Sequence, residues 1–264
     1  MPRFDANLSM LYGEHAFLDR FAAARADGFT GVEYLFPYAW PQAALVDALG
    51  ANGLQQVLFN LPPGDWEAGD RGLACDPDRV GAFQESVGLA LDYAAALGCP
   101  QCHCMVGLAP AGVDPERLEA TLVDNLRFAA ARCRDAGVKL LIEAINHRDM
   151  PGFHLNTSAQ AMDLIEKVGV DNLYFQYDVY HMQIMEGDIT PTFQHLIDRI
   201  AHVQIADTPG RHEPGTGELN WPFLFAMMDR AGYTGWVGCE YRPLAGTSEG
   251  LGWLRDWTAG NPRA

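Results

Sequence analysis

Short apolar runs alternate along the chain with longer stretches in which apolar residues recur at helical spacing. Residues 3–9, RFDANLS, predict a first strand. Phe17, Leu18, Phe21 and Ala24 then predict a helix over 14–27, with Gly28 as its stop. The alternation continues to the end. Further strands are expected at 31–35, 54–60, 100–107, 138–144, 172–178, 201–207 and 235–241. Helices are expected at 41–52, 77–97, 115–136, 157–168, 190–199, 220–232 and 247–257. Proline marks two helix starts, at Asp76-Pro77 and Asp114-Pro115. Asn156, Thr157 or Ser158 is the expected cap of another.

Eight strand-then-helix units require parallel pairing with right-handed crossovers. Eight of them over 264 residues predict an α/β fold, a closed (β/α)8 TIM barrel in a single domain spanning 1–264. An open doubly wound sheet would need a glycine-rich turn after an early strand. The first strand is followed by MLYGEHAF, and PGTGELN (214–220) comes late and lacks a P-loop lysine. No linker or low-complexity tract divides the chain.

Composition narrows the partners. With 18 Lys+Arg against 34 Asp+Glu the net charge is −16, which opposes nucleic-acid and anionic-membrane partners. A small anionic substrate remains compatible, and so does a homo-oligomer. No apolar run approaches the roughly 20 residues that span a bilayer. MPRFDANLSM lacks the basic and apolar regions of a secretory signal. The six cysteines therefore read as reduced thiols, and the expected location is cytoplasmic. Cys102 and Cys104, in CHC, have no second cysteine pair with which to build a zinc site, so packing is their expected role.

In a parallel barrel the C-terminal strand ends carry the chemistry. Strand five ends at Glu143, strand six at Asp178, strand seven carries Gln204 near its end, and strand eight ends at Glu240. Any one of these alone reads as a rim group satisfied by an arginine or a backbone amide. Four in succession favour a cation. Three carboxylates and an amide oxygen make a hard shell suited to Mg2+ or Mn2+. His181 lies three residues past Asp178, in an expected loop, while His103 reads as a core-side histidine and His147 as a loop residue. The loop GDWEAGDRG offers Trp66 and Arg71 for a substrate, or is an ordinary surface loop. ADTPGRHEPGTGE offers Arg211 for an anionic or hydroxylated one.

ANLSMLYGE, NLPPGDWEAGDRGLAC, LLIEAINHRDMPGFHL, QYDVYHMQIMEGD, HVQIADTPGRHEPGTGELN and GWVGCEYRP together resemble the hydroxypyruvate isomerase family, within the xylose-isomerase-like barrels. The resemblance runs to EGLGW near the end of the chain. The related 2-oxo-tetronate isomerases share ANLSM, HVQIA and GCEY, and the wording of the other motifs favours the hydroxypyruvate branch. The resemblance implies interconversion of hydroxypyruvate and tartronate semialdehyde, by metal-assisted proton transfer through a cis-enediolate. It implies Glu143 and Glu240 as the proton-transfer pair, and Glu143, Asp178, Gln204 and Glu240 as metal ligands. Related ketose epimerases carry histidine at the third ligand position, where this chain has Gln204. His181 and Arg211 fall at positions that resemble the epimerases' substrate-side histidine and arginine. Competing readings are a 2-oxo-tetronate isomerase or ketose 3-epimerase, an abasic-site endonuclease opposed by the charge, and a non-catalytic sugar-acid binding protein.

Overall fold

The structure, a computed structural model, describes residues 2–259. Eight strands are present: β1 (Arg3–Asn7), β2 (Gly31–Tyr34), β3 (Gln55–Asn60), β4 (Gln101–His103), β5 (Lys139–Glu143), β6 (Leu173–Asp178), β7 (Ile200–Ile205) and β8 (Trp236–Cys239). They follow one another in chain order as a closed barrel, and every described pairing is parallel. The helices are α1 (Arg20–Ala26), α2 (Gln42–Asn52), α3 (Val80–Leu97), α4 (Pro115–Asp135), α5 (Ser158–Val168), α6 (Val179–Met185), α7 (Ile189–Leu196), α8 (Trp221–Arg230), α9 (Thr247–Gly250) and α10 (Gly252–Ala259).

The residues group into two compact units. The first holds the chain up to Leu35, Ala44–Val57 and the chain from Tyr177. In it β1 pairs with β2 and β8, and β7 pairs with β8. Side chains alternate along each strand. Ala6, Val32, Val203, Val237 and Cys239 are fully buried on the helix-facing side. Phe4 meets Phe225 and Trp253 edge-on at 5.1 and 5.3 Å. The intervening positions are polar and equally buried: Asp5, Asn7, Glu33, His202 and Gln204. Polar groups inside a closed barrel must find partners, which concentrates chemistry on that face.

The second unit holds Phe36–Ala43 and Leu58–Gln176. Its pairings align Asn60 with His103, Cys102 with Leu140, and Glu143 with Gln176. Helix α4 starts as expected, with Pro115 in its first turn and Asp114 accepting from the amides of Glu116 and Arg117. Thr157 caps α5 in a capping box with Gln160.

Several elements depart from expectation. The first helix begins only at Arg20, after a 3-10 turn at Phe17–Asp19. The third begins at Val80, because Asp76 to Arg79 are spent in turns (Arg79 N to Asp76 O, 3.2 Å). Strand β4 ends at His103, four residues short. Beyond it the chain turns against the loop after β3: Cys75 N bonds Val106 O at 2.9 Å, and a Cβ on Gly107 would lie 2.7 Å from Gly72 O. Finally, the segment after Asp178 is helix α6 where a loop was expected.

All six cysteines are buried and unbridged. Burial holds the thiols of Cys102, Cys104, Cys133 and Cys239 above the usual range, which suits packing and not metal ligation.

Candidate active site

Asp178 ends β6 and is also the N-cap of α6, accepting from Tyr180 N at 2.8 Å through Oδ1. That bond turns Oδ2 towards His181, whose Nε2 lies 3.5 Å away. Arg211 reaches the same oxygen at 3.4 Å and donates to Oε2 of Glu240 at 2.6 Å. Its guanidinium lies over Tyr180, 4.9 Å from the ring centre, and its backbone is left-handed at φ +56°. Asp207 braces the loop bearing Arg211 by accepting from the amides of Thr208, Gly215 and Leu219.

Glu240 follows β8 directly. Burial raises its carboxyl to about 8; Arg211 pulls the other way, while the charges of Asp178 and Glu33 add to the rise. Burial raises Asp178 to about 6 against Arg211 and the amides of Tyr180 and His181. Burial thus favours the protonated forms of two carboxyl groups held beside one guanidinium, that of Glu240 more strongly than that of Asp178.

Behind these strand ends stands a group that the sequence reading did not single out. Glu33, on β2, accepts from His202 Nε2 at 2.6 Å, Gln204 Nε2 at 2.7 Å and Asn7 Nδ2 at 2.9 Å. Asn7 Nδ2 also reaches Glu240 Oε1 at 3.1 Å. Burial alone would raise Glu33, but the charge of His202 and these three donors outweigh it and hold Glu33 below the usual range. Asp5 lies beside it, its carboxyl raised well above the usual range by burial and by the charge of Glu33. The signal was present in GVEYL: a glutamate on the face opposite Val32 and Tyr34, inside a buried strand.

In the second unit Glu143 ends β5 and is 5% exposed. His103, on β4, places Nε2 3.7 Å from Glu143 Oε2, and its Nδ1 meets Asn60 Oδ1 at 3.2 Å. With Nδ1 taken up by Asn60, Nε2 is the nitrogen that faces the glutamate. His103, expected on the core side, is 1% exposed and stands beside Glu143 on the neighbouring strand.

The xylose isomerase-like TIM barrel family matches residues 21–257. The chain belongs to the xylose isomerase-like TIM barrel family. Among its relatives, a 2-oxo-tetronate isomerase of Cupriavidus necator is 55% identical over 97% of this chain and 99% of its own. The hydroxypyruvate isomerase of Escherichia coli is 52% identical over 96% and 98%. A crystal structure of a Brucella melitensis protein, described as an AP endonuclease of family 2, superposes with a TM-score of 0.95 at 44% identity, covering 97% and 99%. A Methylomonas D-allulose 3-epimerase, at 20% identity and a TM-score of 0.79, shares the fold. Identities of 55% and 52% do not separate the two isomerase names.

Glu143 and Asp178 are the last residues of β5 and β6, Gln204 is the penultimate residue of β7, and Glu240 follows β8. Their donors are carboxylate and amide oxygens, and burial penalises the charged forms of Asp178 and Glu240. Asp178, Gln204 and Glu240, all in the first unit, suit a hard divalent cation, which would replace protons in satisfying the negative charge. Asp5, Glu33 and His202 also offer ligand atoms within 4.8 Å of one another. Glu33 already has three nitrogen donors, which makes that group a hydrogen-bonded cluster.

His181 lies on α6, in place of the expected loop, and is 2% exposed. In the loop after β3, Arg71 stacks over Trp66 at 3.9 Å, and Trp66 meets the ring of Phe36 at 5.3 Å. Arg71 also donates to the carbonyls of Trp66 and Asp70. Gly64 approaches Asp70, whose carboxylate pairs with Arg79 at 2.7 Å. The loop is braced from within. No described helix is long and apolar enough to cross a membrane.

Proposed function

We propose that this isomerase interconverts hydroxypyruvate and tartronate semialdehyde (2-hydroxy-3-oxopropanoate), on a single barrel domain spanning 1–264. The observation that carries the reading is Glu240, a buried strand-end carboxyl raised to about 8, bonded to Arg211 and to Asn7. A glutamate so placed can take and return a proton near neutral pH. The substrate comes from the Escherichia coli relative, 52% identical over nearly the whole chain.

Glu143, Asp178, Gln204 and Glu240 would hold Mg2+ or Mn2+, which when bound supplies Lewis-acid charge at the substrate's carbonyl and hydroxyl oxygens. Glu143 and Glu240 form the proton-transfer pair. One takes the proton from C3, leaving a cis-enediolate, and the other supports delivery of a proton to C2. The hydroxyl proton moves between the two oxygens, and His181 hydrogen-bonds one of them. Arg211 binds the negatively charged end of the substrate, and Trp66 and Arg71 form a further wall against it. The strongly acidic chain has no nucleic-acid or membrane partner in this reading, and it works in the cytoplasm.

A second reading, a 2-oxo-tetronate isomerase, is favoured by the Cupriavidus necator relative at 55% identity. A substrate panel separates them: hydroxypyruvate, a 2-oxo-tetronate and free ketoses with added Mn2+. The proposal expects the highest kcat/KM for hydroxypyruvate. A higher value for the tetronate would establish the second reading, and no turnover of any substrate would overturn both.

A further inference from the structure

Glu33 is 1% exposed and takes no direct part in the proposed reaction, yet three nitrogen donors from two strands converge on it. A carboxylate only accepts hydrogen bonds, so the amides of Asn7 and Gln204 must both turn their nitrogens towards it. A primary amide carries nitrogen on one side and oxygen on the other. With Nε2 of Gln204 committed to Glu33 at 2.7 Å, Oε1 is the end directed elsewhere. The distinction matters because an amide nitrogen, its lone pair delocalised, is a poor ligand for a hard cation, whereas the oxygen is a good one. An unoriented glutamine could present either end.

We propose that Glu33 is a positioning residue that fixes the amide of Gln204 with its oxygen as the ligating end, which lets a neutral side chain serve beside carboxylates in a divalent-cation site. The inference rests on the metal reading given above. Glu33 is itself held in place. His202 Nε2 pins its second oxygen at 2.6 Å. Across the sheet, Gly238 is paired with both Asp5 and Gln204, and a Cβ there would come within 2.5 Å of Glu33 Oε1. The strand opposite Glu33 is thus a glycine where any side chain would push the carboxylate off its donors. Asn7 extends the same device, since one amide nitrogen spans Glu33 and Glu240.

The test is Mn2+ binding by the full-length protein, read from the free Mn2+ spin-resonance signal, with thermal unfolding recorded alongside. Wild type should bind. Glu33→Ala should weaken binding by about tenfold or more, the usual effect of removing a partner that orients a ligand. Adding Gln204→Glu to Glu33→Ala should restore affinity to within about threefold, because a carboxylate has oxygen at both ends and needs no orientation. Should Glu33→Ala not fold, Glu33→Asp keeps the buried charge but withdraws it from Gln204, and should lose affinity in the same direction. Wild-type affinity in a folded Glu33 variant would overturn the proposal while leaving the metal reading intact. A folded double variant that stays as weak as Glu33→Ala would overturn it too. Wild type that binds no Mn2+ would sink the metal reading itself.

Discussion

Arg211 Nη2 lies 2.6 Å from Glu240 Oε2 and 3.4 Å from Asp178 Oδ2, so one guanidinium is shared by two strand-end carboxylates. It opposes the rise that burial imposes on both. Removing it, as in Arg211→Met, should raise both carboxyl groups further. If Glu240 must be ionised to take a proton, the acid limb of kcat/KM against pH then moves to higher pH. Loss of the substrate's cationic partner should also lower kcat/KM by about 10²-fold, the cost of leaving one charge of a close pair uncompensated. An acid limb that stays in place would contradict the electrostatic role.

Glu143→Gln and Glu240→Gln each keep side-chain volume and remove the proton carrier. Each should lower kcat by roughly 10²–10⁴-fold, the range for a positioned acid or base. The circular dichroism spectrum should not change. Near-normal turnover in either purified variant would remove that residue from the proton-transfer pair.

The raised carboxyl groups also set a pH dependence of stability. Folded Glu240, at about 8 against an ordinary 4.5, binds its proton more tightly than the unfolded chain does, as does Asp178, at about 6 against 3.8. Their contribution is therefore fully present below the ordinary carboxyl range and is lost as pH rises through 6 and then 8. Metal-free protein should lose on the order of a few kcal/mol across that window. Glu240→Gln should flatten the profile, which denaturant melts at several pH values would show; an unchanged slope would contradict the assignment.

Chelator-treated protein should lose activity and regain it with Mg2+ or Mn2+. Affinity should rise with pH through the same window, because a cation competes with the protons on Glu240 and Asp178. Full turnover in a preparation shown to be metal-free by elemental analysis would remove the cation from the account.

The barrel was legible because each parallel strand and its crossover repeat one pattern, and because a strand end is marked by the first polar residue after an apolar run. Glu143, Asp178 and Glu240 were found that way. Glu33 was not, because it lies within a strand, where side-chain alternation and not strand end is the signal; His202, two residues before Gln204 on the same face, was missed for the same reason. Helix α6 was missed because Val179, Tyr180 and His181 are poor helix formers. Asp178 starts it by capping Tyr180 N, so one residue both ends β6 and begins the helix that carries His181. The short β4 was hidden because its end depends on the close approach of Gly72 and Gly107, residues far apart in sequence.

The central claim is proton transfer between C3 and C2 of hydroxypyruvate by the glutamate pair. Its most direct test is incubation of the protein with hydroxypyruvate and Mn2+ in deuterium oxide, followed by NMR of recovered substrate and product. The account predicts deuterium at C3 of hydroxypyruvate and at C2 of tartronate semialdehyde, and neither label with Glu143→Gln or Glu240→Gln. Binding of hydroxypyruvate with no deuterium entering either carbon would contradict it.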